Sequence, residues 1–85
     1  MRRNRIDIIV EVLDVAKNGV NKTSIVYKTN LNFRIAERYL KLLEIQGFVE
    51  NKFDKYITTN KGRVFFFLEK AREITLQLEA PLLIL

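Results

Sequence analysis

Residues 30–48 read NLNFRIAERYLKLLEIQGF, and the fold is decided in this stretch. On a wheel of 100° per residue, Ala36, Leu40 and Leu43 share one side, with Phe33 and Tyr39 at its edges. Arg34, Arg38, Lys41 and Ile45 fall opposite. Asn32 is a good N-cap for such a helix, and Gly47 fits the left-handed residue that closes it. The spacing therefore predicts one amphipathic helix with a leucine face and a cationic face.

Working outward, Ile6, Ile9, Val10, Leu13 and Ala16 recur at helical spacing and predict a first helix from about Arg3 to Lys17, ended by Asn18 and Gly19. Ile8, Val12 and Val15 widen its apolar stripe, so two packing neighbours are expected. KTSIVYKT follows as a short second helix capped by Asn21 or Thr23, with Ile25 and Val26 facing the core and Asn30 as its breaker. After Gly47 the pattern changes. Phe48–Asn51 and Lys55–Thr58 read as two strands joined by a turn near Lys52 to Asp54. Thr59 or Asn60 then caps a last helix to about Glu79, where Pro81 is expected to stop it. Val64, Leu68, Ala71, Thr75 and Leu78 repeat along it in alternating steps of four and three, the interval of a helix-to-helix seam. The apolar tail PLLIL also needs cover.

The fold class is thus α+β, mainly α with a small β-hairpin, in the order α-α-α-β-β-α. That order is a winged helix, a helix-turn-helix with a β-hairpin wing. The expected division is a winged helix-turn-helix domain over 1–62 and a seam-bearing last helix with an apolar tail over 63–85.

Composition bounds the function. The chain has 85 residues and a net charge of +5, which suits one small domain and a polyanionic partner. The excess is uneven: residues 1–63 hold thirteen basic and seven acidic groups, whereas residues 64–85 hold two and three. There is no cysteine and no histidine, so disulfides, thiolate ligands and the usual general base are excluded. Asp7, Glu11 and Asp14 share a face of the first helix, and with Arg3 nearby they read as solvated surface rather than a metal site. No enzyme, cofactor or metal is expected. The apolar runs are far below the ~20 residues of a membrane span, and MRRNRIDIIVEVL is too interrupted by charge for a signal peptide. A soluble, cytoplasmic protein without membrane contact is expected.

The stretch KTSIVYKTNLNFRIAERYLKLLEIQGFVE with YITTNKGRVFFFLEK resembles the archaeal winged helix-turn-helix DNA-binding family. The matching positions are Thr23, Ile25, Tyr27, Asn30, Leu31, Tyr39, Leu40, Leu43, Gly47, Phe48, Val49, Tyr56, Ile57, Thr58 or Thr59, and Gly62. The resemblance covers about residues 4–70. It implies a nucleoid-associated, transcription-regulating homodimer on double-stranded DNA. Small dimeric members pair through an antiparallel coiled coil of their last helices, which would assign Val64, Leu68, Ala71, Thr75 and Leu78 to pairing.

In a winged helix the third helix enters the major groove. Arg34 and Arg38 are then the expected base readers, Lys41 a phosphate contact, and Asn32 a neighbour at the DNA-facing end. Glu37 would read a cytosine amino group or, the reading preferred, pair with Lys41 four residues on. Lys22, Thr23, Lys28 and Asn30 suit phosphate positioning, as do Lys52 and Lys55 in the wing. Arg2, Arg3 and Arg5 join them or form a frayed end. Phe65, Phe66 and Phe67 point about 100° apart on a helix, so they divide between core and partner instead of forming one stacking platform. The alternatives are a protein-interaction winged helix, a sequence-independent architectural protein, and an RNA binder.

Overall fold

The computed structural model describes the backbone of residues 3–84 and the side chains of residues 3–78. Its elements are α1 (Arg5–Val15), α2 (Lys22–Thr29), α3 (Phe33–Ile45), β1 (Val49–Lys52), β2 (Lys55–Thr58) and α4 (Asn60–Ile84). This is the expected order.

Each of the first three helices opens on an asparagine. Asn4 and Asp7 form a reciprocal capping box at α1, Asn21 accepts from the Ser24 amide, and Asn32 accepts from the Ile35 amide at 2.8 Å. α1 is a turn shorter than predicted and packs on both α2 and α4. Its buried arc differs from the expected stripe. Val12, Leu13 and Ala16 are fully buried, whereas Ile6 is 38% exposed. Ile6 lines an open cleft with Phe66, Lys70 and Glu73 of α4, so the first turn is not sealed against that helix.

Asn30 ends α2 in the left-handed conformation, φ 56°, a region that asparagine tolerates better than most residues. Residues 30–32 then turn the chain into α3, whose Ala36, Leu40 and Leu43 are all buried. Gly47, φ 77°, closes α3 as expected. The core joins Val12, Leu13, Ile25, Leu40, Leu43, Val49 and Tyr56.

β1 and β2 pair antiparallel, from Val49↔Thr58 at the base to Lys52↔Lys55 at the tip. β1 begins one residue later than predicted, because the Phe48 amide still donates to the Leu43 carbonyl at 2.8 Å and its ring stacks on Phe65. Phe53 (φ 52°) and Asp54 (φ 61°) make a two-residue turn with both residues left-handed, the I′ form that matches strand twist. The base of the hairpin is latched to the end of α1. Val20 exchanges two backbone hydrogen bonds with Tyr56, the Thr58 amide donates to the Ala16 carbonyl, and the Thr58 hydroxyl donates to the Leu13 carbonyl at 2.7 Å. That last bond satisfies a carbonyl left without a partner where the helix ends.

Thr59 caps α4: its hydroxyl accepts from the Gly62 amide and donates to the Gly47 carbonyl. Gly62 is required for space. A Cβ there would strike the Phe48 carbonyl and come within 2.8 Å of the Thr58 methyl group. Phe65 and Phe66 pack against the core, as expected of their part of VFFFL, and Phe67 turns outward with 75% exposure.

α4 does not stop at Pro81 but runs to Ile84, 25 residues in all. A proline removes one N–H, and so close to the end of a helix the carbonyl it frees, on exposed Gln77, can bond water instead. The side chains of PLLIL lie outside the described residues. Among the described residues no helix is long and apolar enough to cross a membrane.

Candidate nucleic-acid interface

The outward face of α3 is defined by what the opposite face buries. Ala36, Leu40 and Leu43 seat the helix, which turns Arg34, Arg38 and Lys41 to solvent, each without an ion-pair partner among the described residues. Three cations on successive turns of one helix face form a continuous positive strip. Ile45 ends this strip and is exposed.

The expected Glu37–Lys41 pair does not form. Glu37 instead meets Lys22 of α2, Oε1 to Nζ 3.4 Å. On the wheel Glu37 lies on the flank that faces α2, so the closer cation comes from across the helix pair. Two consequences follow for the predicted site. Lys41 keeps its whole charge outward, and Lys22 is committed to a carboxylate. Thr23 and Lys28 are exposed on α2. Asn30 and Asn32 are exposed as well, but Asn30 serves the turn by its conformation and the Asn32 carbonyl oxygen serves the cap.

The N-terminal arginines separate. Arg3 is not frayed: one guanidinium nitrogen donates to Glu11 at 2.6 Å and to the Thr29 carbonyl at 2.7 Å, tying α1 to the end of α2. Arg5 lines a shallow groove of about 390 Å³ with Ile9, Ile35, Arg38, Tyr39 and Leu42, so α1 adds a cation beside Arg38. Only the helix packing reveals that neighbour. Arg2 lies outside the described residues.

In the wing, Lys52 and Lys55 are exposed and face each other at the tip, with Lys52 also 3.5 Å from Glu50. Two further cations behind the wing are structural. Lys61 donates to the Gln46 carbonyl and covers the Phe48 ring, and Arg63 donates to the Lys17 carbonyl. The residue that sequence reasoning passed over is Phe53, which leads the hairpin and is 98% exposed. Its position in a two-residue turn between two lysines was the available signal.

The predicted seam on α4 lies entirely at the surface. Val64, Leu68, Ala71, Thr75 and Leu78 are exposed, and Phe67 and Ile74 join them on the same side. Among the described residues no group of three His, Cys, Asp or Glu side chains is arranged to hold a metal ion.

A helix-turn-helix whose second helix turns a cationic face outward, with a hairpin at its side, defines the winged-helix class. The chain belongs to the winged helix-turn-helix family, whose sequence pattern it matches over residues 2–78. It is similar to the uncharacterized protein MJ0287 of Methanocaldococcus jannaschii, 30% identical over 66 residues that make up 76% of this chain and 68% of that one. It is also 33% identical to MJ0290 of the same organism over 87% of this chain, which spans only 35% of that longer protein. Its fold resembles that of Sso10a-2, a DNA-binding protein from Sulfolobus solfataricus, with a TM-score of 0.75, 23% identity, and coverage of 93% of this chain and 88% of the other.

Proposed function

We propose that this protein is a non-enzymatic binder of double-stranded DNA, acting in the cytoplasm on the nucleoid as a homodimer that regulates transcription. The reading is carried by one observation: Arg34, Arg38 and Lys41 stand on the exposed face of α3 with no ion-pair partner among the described residues, and in a helix-turn-helix that helix lies in the major groove. Arg34 and Arg38, nearer the start of the helix, read base edges, because a guanidinium can bond guanine through two parallel hydrogen bonds. Lys41 meets phosphate, with Asn32 at the head of the helix, Thr23, Lys28 and Asn30 along the helix pair, and Lys52 and Lys55 in the wing. Lys22 contributes only where its pair with Glu37 opens. Membership of a winged helix-turn-helix family and a fold shared with a DNA-binding protein support this assignment.

The dimer is assigned to α4. Val64, Leu68, Ala71, Thr75 and Leu78, flanked by Phe67 and Ile74, leave a long apolar strip in water that a second copy would cover. The deciding experiment is titration of duplex DNA at several salt concentrations. Release of counterions from about six phosphates per dimer gives a log–log slope near −5. A complex insensitive to salt would refute the mechanism. A monomer that ignores DNA would favour the interaction-module reading, for which the exposed Ile35, Leu42 and Ile45 on α3 provide the specific observation.

A further inference from the structure

Phe53 is the most exposed large apolar side chain among the described residues, more so than Tyr27 at 88%. The hairpin holds it away from the core. Val49 and Thr58 are buried at the base, and the Lys52–Lys55 pair lies three residues further out, about 10 Å at 3.3 Å per residue. The backbone of Phe53 is left-handed, a conformation that favours glycine or asparagine and is unfavourable for a residue with a bulky Cβ substituent. No contact among the described residues offsets that strain, since the side chain stands almost wholly in water. An Asn-Gly turn would make a better hairpin and a more soluble tip, so the ring gains its value outside the fold.

What stands behind the ring indicates the partner. Lys52 and Lys55 are directly opposed across the two strands, an arrangement of like charges that weakens an isolated hairpin. Glu50, 3.5 Å from Lys52, moderates it only in part, both groups being open to water. The tip is therefore an aromatic ring leading a pair of ammonium groups. An apolar protein groove would leave those charges without partners, whereas duplex DNA offers stacked bases for the ring and a phosphate backbone on either side for the cations.

We propose that Phe53 is a wedge that enters a base step of duplex DNA from the minor groove, partly unstacking and bending it, while Lys52 and Lys55 meet the flanking phosphates. This rests on the duplex-binding reading above. Asp54 completes the turn because aspartate tolerates the left-handed conformation. Its carboxylate opposes the phosphates, so insertion is favoured where unstacking is easiest, at TA and CA steps.

The test uses the whole chain with the F53A and F53W variants, and because the protein has no tryptophan the F53W indole is the sole reporter. Wild type is expected to retard a short duplex at low salt, to shorten the end-to-end distance of a doubly dye-labelled duplex, and to prefer a central TA step over an A-tract. F53A should keep its thermal midpoint and its salt slope, lose the bend, and lose the TA preference with a several-fold drop in affinity. F53W should keep the bend, and its emission should be quenched by stacking in the saturated complex. If F53A bends DNA like wild type, or the F53W indole still emits as a water-exposed group when bound, the wedge is refuted while DNA binding stands. If wild type retards no duplex even at low salt, the DNA reading fails first and the wedge with it.

Discussion

Lys22 and Glu37 meet at 3.4 Å across the helix-turn-helix, joining the first turn of α2 to the second turn of α3. Both groups are partly open to water, so the pair contributes at most about 1 kcal/mol to stability. Its larger effect is on charge, because it neutralises one cation beside the proposed groove-facing strip. E37Q is expected to melt within a few degrees of wild type while binding random duplex more tightly. Its log–log salt slope should steepen by about 0.9 for each additional phosphate that Lys22 reaches. An unchanged slope would mean that Lys22 never faces the duplex.

Arg34 and Arg38 carry any claim of sequence reading. Replacing either with alanine should cost roughly 1–3 kcal/mol on the preferred duplex and much less on random sequence, so the ratio of the two affinities narrows. K41A should weaken both alike and lower the salt slope by about one. Competition titrations with duplexes chosen from a random pool measure this directly. R38A with an intact preference would instead assign Arg38 to the groove it lines with Arg5.

The latch between wing and α1 gives a stability prediction. T58V keeps the side chain's shape but removes the donor to the Leu13 carbonyl, leaving a buried acceptor unpaired. Such a loss is worth about 1–3 kcal/mol, and each kcal/mol lowers the midpoint of a domain this size by roughly 4–8 °C. G62A should be at least as damaging, since the added methyl group meets the Phe48 backbone and not a side chain that can move aside. Thermal melts followed by far-ultraviolet circular dichroism compare the two.

For α4, the predicted outcome separates pairing from folding. Leu68 and Ile74 touch solvent rather than the core, so L68E and I74E should leave the winged fold intact. Sedimentation should then show the wild type as a dimer and each variant shifted to monomer. An unshifted dimer would move the interface off this strip.

Much of the architecture is legible in the sequence. The two faces of α3, the cap at Asn32, the turn at Asn30, the closing Gly47 and the hairpin all follow from 3.6- and 2-residue periodicities and from residues that favour particular backbone conformations. These are local properties, written in neighbouring residues. The element order already read as a winged helix, the family resemblance strengthened that reading, and the match over residues 2–78 agrees with it.

What the sequence could not decide was every pairing between elements. Glu37 had a cation in register on its own helix at Lys41, yet its partner is Lys22, because the crossing of α2 and α3 brings that ammonium group to the inner flank. Arg3 bridges to Glu11 and Thr29 only because α1 lies across the end of α2. Val20, in a stretch with no strand signal, pairs with Tyr56 because the core fixes both segments side by side. Burial works the same way: Ile6 and Val12 are equally apolar, and only the two helices packed around α1 determine that Val12 is covered and Ile6 is not. By itself, then, the sequence determined the order of the elements, the cap at Asn32 and the cationic face of α3. Tertiary structure decided which charges are neutralised and which side chains, Phe53 foremost, remain in water, because both depend on contacts between residues far apart in the chain.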